Sequence, residues 1–105
     1  MGRIVIAAFR PKAGMESELL GVIADRLPLL RGLGLATQRA NITMRASDGT
    51  IVDVSEWVDE EAIERAHRTP EVLALWERFS ACSDYVSLNT LGEVNEMFAT
   101  FEAVE

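Results

Sequence analysis

Asp53, Ser55 and Trp57 occupy alternate positions of IVDVSEWV, residues 51–58. In an extended strand that spacing puts a carboxylate, a hydroxyl and an indole on one face. His67, the only histidine, follows in the next segment. A desolvated carboxylate or an imidazole can take a proton from a phenol. An indole offers a flat wall for an aromatic ring and an N–H for a carbonyl or oxyanion. Asn41 and Arg45, in RANITMRA at residues 39–46, add polar groups on a neighbouring strand, and Phe9, Trp76 and Tyr85 are further aromatic candidates for a substrate-binding wall. Together these types suit oxidation of an electron-rich aromatic by oxygen without a cofactor. That chemistry needs an ionised substrate, a polar group at its oxyanion and a dry pocket. Trp57, His67 and Asp53 are the catalytic candidates; Asn41, Arg45, Ser55, Phe9, Trp76 and Tyr85 are the substrate-binding ones.

Each candidate also has a plainer reading. His67 falls near the C-terminal end of a short helix, where an imidazole can hydrogen-bond a free carbonyl. Trp57 fits a core or an interface, and Trp76 lies on an apolar stripe with Val72 and Phe79. Tyr85 either covers a pocket mouth or seals the second helix. The polar strand residues either line a cavity or face water at a sheet edge. With one histidine and one cysteine, Cys82, no metal-ligand spacing of the usual kinds is present. There is no nucleophile elbow and no P-loop, and no cofactor is expected.

The elements that must position these residues are legible from periodicity. Residues 3–9, RIVIAAF, read as a strand. From Met15 apolar residues recur at three and four (Leu19, Leu20, Ile23, Leu27, Leu30), which predicts a helix that Pro28 disturbs and Gly32 and Gly34 end. Residues 39–46 alternate as a strand, Ser47-Asp48-Gly49 is a hairpin turn, and residues 51–58 return. Asp59 is placed to cap a helix over 60–68; Thr69-Pro70 then restarts the helix. Residues 84–92 read as loop with a helical turn, and residues 95–103, NEMFATFEA, as the last strand. The order β-α-β-β-α-β is that of a ferredoxin-like α+β unit with a four-stranded antiparallel sheet.

The 105 residues make one domain of ordinary composition, 49% apolar and 26% charged. The net charge of −7, with no local cluster of lysine and arginine, argues against nucleic-acid and anionic-membrane partners. A single cysteine and the absence of a long apolar N-terminal run point to the cytoplasm.

Helices cover one face of such a sheet, yet the first strand is apolar on both: Ile4, Ile6 and Ala8 against Val5, Ala7 and Phe9. The last predicted strand sets Met97, Ala99 and Phe101 against Phe98 and Val104. Leaving about five large apolar side chains wet forgoes on the order of 10 kcal/mol, comparable with a whole domain's stability of about 5–15 kcal/mol. A second copy of the chain is the economical cover, which predicts a homodimer.

The first strand running into FRPKAGMESEL, the hairpin, SEWVDEEAIERAHRTPEVLALWERF and the closing FATFEAV resemble the antibiotic biosynthesis monooxygenase-like domains over nearly the whole chain. The resemblance implies a dimeric α+β barrel, with a pocket between sheet and helices in each subunit. It implies a small aromatic or quinol-type metabolite as substrate, oxidised without metal or flavin. It equally admits a non-catalytic binding or assembly member of the superfamily. Haem degraders of that superfamily carry an asparagine on the first strand, absent here; Ala66 and Trp76 stand about where their tryptophan and iron-binding histidine fall, and His67 comes too early.

Overall fold

The structure, a computed structural model, describes residues 1–104. Its longest strand is β1 (Arg3–Pro11), β-branched and apolar as expected. It runs antiparallel to β3 (Ile51–Trp57), in register from Arg3 opposite Trp57 to Phe9 opposite Ile51. β3 forms a hairpin with β2 (Ile42–Arg45), and Gly49 in the turn takes a φ of 92° that a side chain would resist. The far edge of β1 pairs with β4 (Ser83–Val86), and β2 pairs with the short β5 (Glu102–Ala103). The sheet order is β4-β1-β3-β2-β5, all neighbours antiparallel, in an α+β fold.

Three helices carry the other half of the core. α1 (Glu16–Gly32) runs unbroken through Pro28, so the proline does not split it. It ends in a Schellman arrangement: Leu35 N–H donates to the Leu30 carbonyl at 2.9 Å, Gly34 N–H to the Arg31 carbonyl at 3.0 Å, and Gly34 sits at φ 73°. α2 (Glu60–Ala66) begins at Asp59, whose Oδ1 accepts from the Ala62 N–H at 2.7 Å. α3 (Pro70–Cys82) starts at Pro70 as expected, though Thr69 does not cap it; its hydroxyl donates back to the Arg65 carbonyl at 2.8 Å.

Leu19, Val22 and Ile23 of α1 and Leu75 and Phe79 of α3 close over Phe9 and Ile51. Leu27 and Leu30 of α1 close with Ala62, Ala66 and Val72 over Trp57. On the opposite face, Leu91 is buried against Ala8, Ala46 and Val52, with Leu88 and Phe101 beside it. These come from a C-terminal stretch with two short 3-10 turns, Leu88–Thr90 and Gly92–Asn95. The rest of that face is open: Ile4, Ile6 and Ile42 are 53%, 48% and 57% exposed.

Two sequence expectations fail here. The strand beside β1 is residues 83–86, predicted as loop, and not residues 95–103. β4 follows α3 without a turn, and it pairs because β1 needs a partner on its free edge and Tyr85 can pack on Phe9. Only Glu102 and Ala103 of the expected last strand pair, as a fifth strand on β2. Met97 and Phe98 stand 90% and 83% exposed, so the first part of NEMFATFEA has no strand partner among the described residues. The expected four-stranded sheet is therefore five-stranded. No helix of the described residues is long and apolar enough to cross a membrane.

Leu19 is fully buried where α1 meets the sheet. Leu19→Ala is expected to cost about 2–5 kcal/mol in urea unfolding, and Leu73→Ala on the outer side of α3 less than about 0.5 kcal/mol.

Candidate functional site

The helix-facing side of β1 presents Val5 and Ala7, small side chains, before Phe9. The short α2 turns into α3 opposite them. The space left is a cavity of about 350 Å³. Phe9, Phe79 and Tyr85 form one wall: Phe9 and Phe79 stack at 4.5 Å and 12°, and Tyr85 tilts against Phe9 at 5.3 Å. His67 and Trp76 form another, edge to face at 5.0 Å. Trp57 and Arg26 complete it. Tyr85 is 53% exposed at the rim.

Trp57 closes β3 and is 4% exposed, and its Nε1 has no hydrogen-bond partner. The Arg26 guanidinium carbon lies 5.9 Å from the Trp57 ring centroid, within cation–π range. His67 bonds a carbonyl of the helix before it, as its plainer reading expects, and it also lines the cavity. Its Nδ1 is 3.0 Å from the Ile63 carbonyl, which assigns the proton to Nδ1 in the neutral ring, and the same side chain lines the cavity. Nε2 is then the free acceptor.

Arg26 is the residue that sequence reading missed. It is 6% exposed on the buried face of α1. Its Nη1 donates to Asp53 Oδ2 at 2.9 Å and to Ser55 Oγ at 3.0 Å. Asp53 Oδ1 accepts from Asn41 Nδ2 at 2.7 Å and from Thr43 Oγ1 at 3.0 Å. Burial pulls the Arg26 guanidinium below its ordinary pKa, and the Asp53 carboxylate and then Tyr85 push back. Guanidinium remains charged through such shifts. Burial pushes the Tyr85 phenol up, with Arg26 opposing, so Tyr85 keeps its O–H at neutral pH. A signal for Arg26 was present: it lies four residues after Val22 and four before Leu30, on the buried stripe of a helix.

Five of the nine candidates share the cavity: Phe9, Trp57, His67, Trp76 and Tyr85. The others stand elsewhere. Asp53 is 1% exposed, off the cavity wall, with both oxygens committed; it is the counter-ion of Arg26 and not a base. Ser55 accepts from the same guanidinium and does not line the cavity. Asn41 lines a separate cavity of about 360 Å³ between α1 and the β2 edge, with its Oδ1 unpartnered. Arg45 points away from both, ion-paired with Glu16 at 2.9 Å and with Glu102; the hydrogen bonds it donates to those two carboxylates hold its pKa up. It shares a strand face with Asn41 and Thr43 but sits at the end covered by the first turn of α1.

Among the described residues no group of three or more His, Cys, Asp or Glu side chains is arranged to hold a metal ion. The chain matches no family model, no curated protein and no solved structure. Its own geometry therefore carries the functional reading.

Removing one member of a buried ion pair leaves the other uncompensated. Arg26→Met is expected to destabilise the fold by about 3–5 kcal/mol. Combining it with Asp53→Asn, which keeps an acceptor for Asn41 or Thr43, is expected to restore at least half of that loss in urea unfolding. Losses that simply add would contradict the pairing.

Proposed function

We propose that this chain is a homodimeric, cofactor-independent monooxygenase-like protein that oxidises a small electron-rich hydroxyarene or quinol with molecular oxygen. The observation that carries the reading is the aromatic-walled cavity with the free acceptor of His67 at its edge. Its size suits a molecule of two or three fused rings. Its walls are apolar enough to exclude water from an oxygen-sensitive intermediate. The resemblance to antibiotic biosynthesis monooxygenase-like domains supplies the reaction class.

For a hydroxyarene whose para carbon carries hydrogen, the steps follow from the chemistry of the ring. His67 Nε2 takes the phenolic proton, leaving an electron-rich phenolate. The phenolate passes one electron to oxygen, giving a phenoxyl radical and superoxide. These combine by a C–O bond at the para carbon. His67 returns its proton to the peroxide. The para C–H proton then leaves with cleavage of the O–O bond, so one oxygen atom ends in a quinone and the other in water. Oxygen is the only oxidant required. Phe9, Trp76 and Phe79 hold the ring flat, and Tyr85 covers the mouth.

The dimer rests on the open part of the second sheet face. Ile4 and Ile6 on β1 and Ile42 on β2, the two strands that flank β3, remain about half exposed. Each is worth about 1.5–3 kcal/mol when buried, which favours a second sheet packed against the first. The order of the first four strands, β4-β1-β3-β2, is consistent with a ferredoxin-like unit of a dimeric α+β barrel, with β5 and the C-terminal stretch added at one edge.

Two measurements check this. Oxygen uptake with a panel of naphthols, hydroquinones and anthrones is expected to exceed buffer for at least one of them, and His67→Gln is expected to lower kcat by about 10²-fold or more while the dimer stays intact. Binding without turnover across the panel would instead make the protein a non-catalytic member of the fold. In sedimentation, the 11.6 kDa chain is expected to run as a dimer at micromolar concentration and Ile6→Glu as a monomer; a monomeric parent chain would remove the barrel.

A further inference from the structure

The aromatic cavity is almost entirely apolar, and Arg26 is the one lysine or arginine on its wall. No aspartate or glutamate lines it, although acidic residues outnumber basic ones by 17 to 10 in the chain. Asp53, which balances Arg26, stands behind it and reaches only Nη1. Nε and Nη2 donate to no other group among the described residues. The ion pair is thus a dipole with its positive end toward the cavity. Attraction falls with distance, so a charge inside feels the nearer guanidinium more than the farther carboxylate.

A second unpaired donor belongs to a residue of the same wall. Trp57 Nε1 is buried without a partner, and the Trp57 ring lies against the guanidinium. Buried donors are rarely left unpaired. The buried indole N–H and the uncommitted edge of the guanidinium beside one cavity, with no acceptor among the side chains lining it except the His67 nitrogen and the Tyr85 oxygen, suit an acceptor from outside. An oxygen anion on a flat ring meets each requirement. Its ring lies among Phe9, Trp76 and Phe79, and its oxygen takes a charge-assisted bond from Arg26 and a second from Trp57.

We propose that the cavity binds its aromatic ligand as an oxyanion, a phenolate or a ring carboxylate, held by the Arg26 guanidinium and the Trp57 indole N–H. This rests on the assignment of the cavity as the ligand site, and it names the charge state and the recognising residues. Asp53, Ser55, Asn41 and Thr43 are then positioning residues that fix the guanidinium, and Arg26 and Trp57 set specificity.

The test compares three probes of one shape, 2-naphthoate, 2-naphthol and 2-naphthamide, by calorimetry and by quenching of the two cavity tryptophans. The expected result at pH 8 is binding of 2-naphthoate at least about tenfold tighter than 2-naphthamide. The folded double variant Arg26→Met/Asp53→Asn loses that preference while its affinity for the amide stays within about threefold. Trp57→Phe, which keeps the ring and removes the donor, loses part of it. The naphthol arm separates the sources: a phenolate absorption band in the complex, below the pH at which free naphthol ionises, assigns the oxyanion to a hydroxyl, and its absence with naphthoate still preferred assigns it to a carboxylate. Equal affinity for naphthoate and the amide overturns the inference while leaving the cavity a ligand site. Failure of all three to bind overturns both.

Discussion

Arg26 and Asp53 meet at 2.9 Å with side chains 7% and 1% exposed, and this pair organises the interior. Two charges removed from water cost several kcal/mol each, and their attraction offsets that only with good geometry and saturated hydrogen bonds. On the carboxylate side the chain meets the condition from three elements. α1 supplies the guanidinium, β3 supplies Asp53 and Ser55, and Thr43 of β2 with Asn41 just before it caps the second carboxylate oxygen. The pair therefore fixes where α1 lies across the β2–β3 hairpin. An apolar contact of similar size would allow sliding; a directed ion pair does not.

The same constraint makes the site. A guanidinium anchored from behind cannot swing out to solvent, so its remaining edge stays against Trp57. The cavity beside it exists because β1 offers Val5 and Ala7 where larger residues would fill the space, and because the chain breaks at Thr69 between α2 and α3. That break leaves His67 just past the end of α2, bonded to Ile63 and still on the cavity wall. On the far side of the sheet the C-terminal stretch covers part of the apolar surface, and Ile4, Ile6 and Ile42 stay about half exposed.

Much of this was legible in the sequence where a local rule had no competitor. The strand at residues 3–9 followed from its run of β-branched and apolar residues, that at 51–58 from its place after a glycine turn, and the helix starts at Asp59 and Pro70 from capping chemistry. β4 was not legible, because it abuts α3 without a turn signal and is chosen by the unpaired edge of β1, a non-local cause. The alternation of residues 95–103 misled for the converse reason: it is a strand pattern with only two residues paired in the chain. At the site, the sequence identified the face that Asp53, Ser55 and Trp57 share but not the residue packed across it. Without Arg26, Asp53 reads as a base; with it, the carboxylate is a counter-ion. A charged residue on a helix is ordinarily assigned to the solvent face, and Arg26 is distinguished only by its spacing from Val22 and Leu30.

The account turns on a ligand oxygen meeting the unpartnered indole N–H in the aromatic cavity. Proton–nitrogen correlation spectra resolve the two tryptophan indole groups of this chain, Trp57 and Trp76. On titration with 2-naphthoate, the Trp57 Nε1–H resonance is expected to move downfield and to exchange more slowly with water, as a new hydrogen bond requires. A Trp57 indole signal that stays in place at saturating ligand would contradict the account.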